Sequence, residues 1–544
     1  MRNRADFLKP ARKKIDYFQN RAFPWNSLPL TPKASQIEQI LREDLEEWSR
    51  RRRGNLPGLQ QGLGNFPEET GRSLIWGALS AVSERFLRLQ KSHLSTIFFG
   101  ISPKGEDTPP LTMSDTIGIG IAGFGTVGTG VYKNLLANGD LIAQRIGARF
   151  AVRRIAVRDL AKPRHPGVPQ ELFTSDTEVL LADPDIQVVI ELMGGIEAPL
   201  AFVKKAITAG KIVITANKAL LAEHGQEIFQ LARKKRVPVF YEAAVAGGIP
   251  IIKVVRESFV GNRFESIHGI LNGTCNYILT RMTETGMDYP PALEEASNLG
   301  YAEADPTLDI NGWDAAHKTI ILASLAYGFW LPSKNLFVAG IETVTAADIR
   351  FADELGYRIK LLATIKAGLG EGIEVRVCPT LIPKDHVLAS VNNVFNAIAI
   401  KGDVVGETLF YGRGAGADST ASSVLGDLGE AACALQNSRF CYGFTSHDLY
   451  GKCLPADQTV SKYYLRLSVR DQPGVLAQIA GVLGASEIGI LSVIQPETAG
   501  EDAALLILML HDAPFGAMRE AVGTLATLPC VRDTPALLHV ETFS

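Results

Sequence analysis

No stretch of this chain is apolar for long enough to cross a bilayer, so no membrane partner is expected. Charge of one sign is lacking too: a net charge of −3 offers no general basic surface for nucleic acid. Cysteine is scarce. Cys275, Cys378, Cys433, Cys441, Cys453 and Cys530 lie apart, with no CxxC pair and no histidine-rich spacing. That pattern indicates neither a zinc site nor a disulfide framework and fits a reducing, cytoplasmic setting. What is present is the composition of an α/β protein, with 46% hydrophobic residues, 21% charged residues and 51 glycines in 544. A chain of this length exceeds one compact core and is expected to divide into about three or four domains.

The first stretch, to about residue 111, differs from the rest. It holds about 18 basic and about 12 acidic residues, near +6, which leaves the remainder near −9. It carries Arg50 to Arg53 in a row, and Trp25, Trp48 and Trp76. Helical spacing is visible over 35–52 and 73–94, but no strand pattern follows. Glu43, Asp44, Glu46 and Glu47 are unusual for a transit peptide. Residues 1–112 are expected to be an upstream-translated or loosely packed accessory extension, with Met113 the natural start.

From residue 116 the pattern sharpens. Residues 117–122, IGIGIA, read as a buried strand, and Gly123, Phe124, Gly125, Thr126, Val127 and Gly128 follow directly, opening a helix through Val131, Leu135 and Leu136. A GxGxxG run between strand and helix is a dinucleotide signature. Gly123 permits the tight turn, Gly125 lets backbone approach a pyrophosphate, Gly128 lets helix and strand pack closely, and the helix N-terminus offers N–H groups to the anion. The second strand, 151–157, leads into Arg158, Asp159 and Lys162. A cation there suits the 2′-phosphate of NADP and an acid suits the ribose of NAD, so Arg158 and Lys162 favour NADP while Asp159 keeps NAD as the alternative.

Strands at 187–190, 211–214 and 237–241 alternate with helices at 199–209 and 219–235, the pattern of a doubly wound parallel sheet. Ligands in such sheets lie beyond the carboxyl ends of strands, where Met193-Gly194-Gly195 and Thr215-Ala216-Asn217-Lys218 fall. A cation is disfavoured in a first helical turn, so Lys218 suggests a ligand.

Residues 300–318, GYAEADPTLDINGWDAAHK, gather Glu303, Asp305, Asp309 and Asp314. Pro306 stops a helix, so the first half reads as a loop. From 312 onward Trp313, Ala316, Ile320 and Ile321 follow helical spacing, placing Asp314 and Lys318 four residues apart on one face. An acidic loop followed by an ordinary ion pair is the plain alternative. Alcohol oxidation by a nicotinamide cofactor needs a group that takes the hydroxyl proton. A lysine serves once a low-dielectric site and a second cation lower its pKa, and Lys318 with Lys218 would form such a pair.

Together GFGTVG, TANKALLA (215–222), YEAAVAGGIPII (241–252), LNGTCNYIL (271–279) and the 300–318 run resemble homoserine dehydrogenase, from about residue 117 onward. The resemblance implies reversible NAD(P)-dependent interconversion of L-homoserine and L-aspartate 4-semialdehyde, in threonine, methionine and isoleucine biosynthesis. It implies that Glu303 and Asp309 bind the amino and hydroxyl end of the substrate, that Asp314 orients the site, that Lys318 gives and takes the proton, and that Lys218 lies between nicotinamide and substrate. It further implies a monovalent cation, usually sodium, held by Glu242 and the backbone carbonyls of Val245, Gly247 and Ile249. In Gly412-Arg413-Gly414-Ala415-Gly416-Ala417 it places Gly416 against the cofactor; a tight loop returning the chain is the plain reading.

The expected fold is α/β. A Rossmann-type NADP domain spans 113–247 with about 408–436, and a mixed α+β substrate-binding and dimerisation domain spans 248–407, giving a homodimer or homotetramer. Residues 437–460 read as a linker, poor in periodicity. Residues 461–544 follow a βαββαβ order with an Asp471-Gln472-Pro473-Gly474 turn and resemble a ferredoxin-like ACT domain, implying threonine as effector; a purely oligomerising module is the alternative. Two other functions stay open: an amino-acid-sensing protein with a weakened catalytic core, and another semialdehyde oxidoreductase working through a cysteine nucleophile, for which Cys275 is the candidate.

Overall fold

The structure, a computed structural model, describes residues 116–543 apart from 163, 303–304, 368–371, 438–442 and 497–502. The expectations for residues 1–112, Met113 and Glu303 lie outside the described residues.

The first sheet contains β1 (Thr116–Ala122), β2 (Arg149–Ala156), β3 (Phe173–Thr174), β4 (Val188–Glu191), β5 (Ile212–Thr215) and β6 (Val239–Phe240). All pairs are parallel, in the order β3-β2-β1-β4-β5-β6. Helices Thr126–Ile146, Glu197–Thr208, Lys218–Lys235 and Ala417–Asn437 pack on this sheet or on one another, which is why β1, β4 and β5 are apolar and buried along nearly their whole length. Chain direction reverses its progress between β1 and β4, and the crevice at that switch is where such sheets take ligands. The two-residue β3 is too short to leave a periodic trace in the sequence.

The second sheet comprises β7 (Phe264–Ile270), β8 (Phe337–Val338), β9 (Tyr357–Ala367), β10 (Ile373–Pro383), β11 (Phe395–Gly402), β12 (Gly406–Arg413), β13 (Val460–Val469), β14 (Ile490–Ile494), β15 (Ala504–Pro514) and β16 (Ala536–Val540). Its main order is β12-β11-β7-β9-β10-β16-β13-β15-β14, with β8 paired to β10. The last four strands, with helices Val475–Ala485 and Phe515–Ala526, form a ferredoxin-like βαββαβ unit whose strands pair antiparallel. This unit does not hang separately from the strands before it: β16 pairs in parallel with β10, Thr380 opposite His539 and Leu381 opposite Val540, so the sheet runs on through both.

Residues 443–459 are correspondingly no free linker. The Tyr241 hydroxyl donates to Gly443 O at 2.9 Å, Phe264 N donates to the Tyr450 hydroxyl at 2.9 Å, and Ile373 N donates to Lys452 O at 2.9 Å. Low periodicity in this stretch reflects irregular backbone laced onto the surface of the domain.

Buried charge reinforces the junction. Asp348, in the first turn of the helix Ala346–Glu354, forms a capping box with Thr345, and its fully buried carboxylate accepts from Arg466 Nε at 2.7 Å and from the Tyr464 hydroxyl at 2.9 Å, both on β13. On the other side Glu541, just past β16, accepts from Lys366 Nζ at 2.5 Å and Arg376 Nη2 at 3.0 Å. Removing one partner of a buried pair strands the other charge. We therefore predict that Arg466→Ala lowers the unfolding free energy by about 3 kcal/mol, measured by chemical denaturation; an unchanged midpoint would mean that the pair does not hold the two parts together.

Candidate active site

The first lysine is placed by the ends of β4 and β5. Glu191, the last residue of β4, is buried; its carboxylate accepts from Met193 N at 2.7 Å and from the Thr215 hydroxyl at 2.6 Å. Burial without a cation pushes that carboxyl up to about 7. The pair fastens the two strand ends, and Asn217 extends the fastening: its Oδ1 caps the Lys218–Lys235 helix at Leu220 N, 3.0 Å, while its Nδ2 donates to Gly195 O at 2.8 Å. Lys218 is thus the first residue of a helix whose start is fixed from both sides.

The second lysine comes from the Trp313–Tyr327 helix, and Pro306 does end the preceding backbone, although residues Thr307–Ile310 make one helical turn where a plain loop was expected. Asp314 and Lys318 occupy successive turns, 92% buried at the side chain, with Lys318 Nζ 2.7 Å from Asp314 Oδ2. Lys218 Nζ lies 2.7 Å from Asp314 Oδ1. One carboxylate therefore joins the two lysines that are 100 residues apart in sequence. The helices that carry them pack on each other, and Trp330, just beyond the end of the second, presses on the first at Gly225, where a Cβ would lie 1.9 Å from its ring.

Burial opposes the charge on Asp314, but the two ammonium groups outweigh it and hold its carboxyl well below the usual range. Lys318 is pushed down from the usual lysine value, first by burial and further by Lys218, with Asp314 resisting. Burial and the charge of Asp314 raise Asp309. Two asparagines missed by the sequence reading complete the arrangement. Asn272 Nδ2 donates to Asp309 Oδ1 and to Asp314 Oδ2, each at 2.8 Å. Leu271 O accepts from Lys318 Nζ at 2.7 Å and from Asn396 Nδ2 at 2.9 Å. Asn272 stood in the LNGTCNYIL run, legible as a helix cap; its distant partners were not.

A cleft of about 730 Å³ opens over Lys218, lined also by Val127, Met193, Asn217, Trp313 and His317. A neighbouring cavity of about 570 Å³ shares Leu192, Met193 and Gly194 with it and continues past Gly123, Gly125, Arg158 and Lys162. Gly123 has φ +100°, and a Cβ there would meet Leu192 O at 2.4 Å; at Gly125, which caps the Thr126–Ile146 helix, a Cβ would meet nothing within 4 Å. Gly128 would place a Cβ 2.6 Å from Gly123 O. A tight turn at Gly123, an open approach at Gly125 and close packing at Gly128 form a cradle that fits a dinucleotide. Thr126 is exposed at the helix start, whereas the Phe124 ring is buried edge-on against Tyr132 and Phe173. Arg164, also missed, lines the second cavity and donates to Asp159 O at 2.6 Å; the Asp159 carboxylate is turned back onto Ala161 N at 2.9 Å. Gly416 has φ +130° and precedes the helix Ala417–Asn437, whose first residue abuts Gly130 of the glycine-loop helix.

Glu242 is buried, and burial raises its carboxyl to about 7. Its two oxygens accept from Ile252 N at 2.8 Å and Lys253 N at 2.9 Å. Gly247 O accepts from the Ser423 hydroxyl and Ile249 O from Ile251 N at 2.8 Å. Asp427, unnoticed in the sequence, takes the Glu242 N–H at 3.0 Å, and burial pushes its carboxyl well up. Among the described residues no group of three or more His, Cys, Asp or Glu converges as a metal cluster. The oxygen-only donors and buried carboxylates suit a hard cation rather than a transition metal.

Two family profiles match the chain: "Homoserine dehydrogenase, NAD binding domain" over residues 123–242 and "Homoserine dehydrogenase" over 250–428. A homoserine dehydrogenase from Pseudomonas aeruginosa is 44% identical over 429 residues, covering 78% of this chain and 98% of its own. The chain belongs to the homoserine dehydrogenase family. A homoserine dehydrogenase from Corynebacterium glutamicum is 42% identical over 432 residues, 78% of this chain and 96% of that protein. The crystal structure of a homoserine dehydrogenase from Thiobacillus denitrificans superposes with a TM-score of 0.74 at 41% identity, over 79% of this chain and 99% of that one. A hyperthermophilic archaeal homoserine dehydrogenase in complex with NADPH gives 0.51 at 27% identity, over 58% and 98%.

Within this homoserine dehydrogenase fold, Cys275 cannot serve as the nucleophile considered from the sequence. Its thiol is fully buried, donates to Asp309 O at 3.1 Å, and is pushed well above the usual thiol range by burial. Among the described residues no helix is long and apolar enough to cross a membrane. The shared carboxylate generates a prediction. In Asp314→Asn, Lys318 loses the anion that resists its downward shift, so its pKa falls further. We predict that the pH at which homoserine oxidation reaches half-maximum moves down by about one unit or more, with kcat reduced about 100-fold; pH–rate profiles check this, and an unmoved midpoint would separate Asp314 from the titrating group.

Proposed function

We propose that this cleft interconverts L-homoserine and L-aspartate 4-semialdehyde with Lys318 as the group that takes and returns the hydroxyl proton. The observation that carries the reading is the Lys218–Asp314–Lys318 triad: Asp314 and Lys318 are buried, and Lys218 joins them to a cleft that shares Leu192, Met193 and Gly194 with the glycine-loop cavity. Bound nicotinamide supplies the hydride acceptor in one direction and the donor in the other. Nζ of Lys318 is tetrahedral, and Leu271 O and Asp314 Oδ2 engage two of its N–H directions. The remaining position holds a proton when the lysine is charged and a lone pair when it is neutral, which is what proton exchange with a substrate hydroxyl requires. Lys218, 41% exposed, lies on the cofactor side and adds the second positive charge that lowers the basicity of Lys318. Asp309, with Glu303, receives the amino and hydroxyl end of the substrate.

Arg158, Lys162 and Arg164 around the second cavity support NADP over NAD, since the Asp159 carboxylate is engaged by its own loop. Glu242 with the carbonyls of Val245, Gly247 and Ile249 would hold a sodium ion, which keeps the segment after β6 in place. The ferredoxin-like unit would act as an ACT domain taking threonine. A homodimer or homotetramer is supported by Leu409 and Tyr411, exposed on the edge strand β12. Five described cysteines are unpaired, which favours a reducing cytoplasm.

We predict that Lys318→Ala loses about 1,000-fold in kcat for homoserine oxidation with little change in KM; an unchanged kcat removes the proposed role. Threonine titrated into the wild-type assay is expected to depress activity, and no response up to millimolar threonine would leave the C-terminal unit an assembly element.

A further inference from the structure

We propose that Asn272 is a positioning residue for this reaction: its side-chain amide bridges the carboxylates of Asp309 and Asp314 and keeps both facing the substrate. The proposal rests on the reading of Lys318 and Asp314 as the proton-transfer pair. Asn272 lies between β7 and the helix Gly273–Thr285, in extended conformation, and is buried. Its Oδ1 accepts from Cys275 N at 2.7 Å, which fixes the orientation of the amide, because only the NH₂ side can then face the carboxylates. The two N–H groups of that NH₂ are each used once, toward Asp309 Oδ1 and Asp314 Oδ2 at 2.8 Å.

The bridge answers a specific difficulty. Two carboxylates that share one neighbour in a buried site repel, and the usual result is that one of them takes up a proton. Asp314 is relieved by two ammonium groups. Asp309 has no ion pair among those found in the described residues; besides Asn272, the Lys318 charge and the Thr274 hydroxyl favour its ionised form, which best meets a substrate ammonium or hydroxyl. A neutral double donor between the carboxylates lowers the cost of ionising Asp309 without a further cation, which would compete for the same carboxylates as the substrate. The preceding residue acts in concert: Leu271 O takes one N–H of Lys318. One strand exit therefore sets the lysine through its backbone and both acids through the next side chain.

The test must separate bridging from helix capping. Serine caps a helix as well as asparagine but offers no NH₂ to reach two carboxylates, so Asn272→Ser keeps the helix start and removes the bridge. Aspartate also caps, matches asparagine in size, and replaces the double donor with an acceptor. Both variants, wild type and Lys318→Ala are assayed for homoserine oxidation with NADP across pH, with thermal unfolding recorded alongside. Loss of the donor raises the pKa of Asp309, so the acid limb of kcat/KM for homoserine should move to higher pH. For Asn272→Ser we expect that limb to move up by about one unit and kcat/KM at neutral pH to fall about 10-fold or more, chiefly through KM, with the unfolding midpoint near wild type. Asn272→Asp should lose more. Wild-type kcat/KM and pH profile in Asn272→Ser overturn the proposal, and if that variant does not fold, the same result in Asn272→Asp overturns it. Wild-type kcat in Lys318→Ala would instead remove the underlying reading of the site, so the two failures are distinguishable.

Discussion

The carboxylate of Asp314 is the interaction on which this site depends. It touches the ammonium groups of both Lys218 and Lys318 and the amide of Asn272, and it does so almost wholly out of water. An isolated buried carboxylate would take up a proton, and an isolated buried ammonium would lose one. Held together, they stay charged enough to order one another, while burial, and then the second ammonium, leaves Lys318 less basic than an ordinary lysine. Neither lysine alone would give that balance.

The architecture delivers those groups from rigid elements. Lys218 is the first residue of a helix fixed by Asn217 and by the Glu191–Thr215 bond between strand ends. Asp314 and Lys318 ride on a second helix, and the Trp330 ring, just past its end, lies over Gly225 of the first. Leu271 and Asn272 close the site from the exit of β7. Three structural origins thus meet within a few ångströms, and a shift of any of them would lengthen a bond to the shared carboxylate.

The second sheet runs without a break from the C-terminal unit to the strand that leads into the site. From β16 the order passes through β10 and β9 to β7, the strand that Leu271 directly follows. Buried ion pairs at Asp348 and Glu541 fasten the unit on both sides of that junction. A pair of this kind contributes little net stability relative to apolar packing, but it demands one geometry, because a misplaced partner strands a buried charge. Residues 443–459, fixed to the domain by the Tyr241 and Tyr450 hydroxyls, add to the same attachment.

The sequence by itself determined whatever depends on neighbours in the chain. The glycine spacing after β1, the strand–helix alternation of the Rossmann half, the i,i+4 placement of Asp314 and Lys318, and the βαββαβ order near the C-terminus are all local patterns, written in periods of two and 3.6 residues. Tertiary structure decided the rest. The burial that silences Cys275, the turning of the Asp159 carboxylate onto its own loop, the joining of β16 to β10, and the meeting of Asn272 with Asp309 and Asp314 all arise between residues that no local period connects. Burial and hydrogen bonding set the charge state of a side chain, and those are properties of a folded volume rather than of a position along the chain.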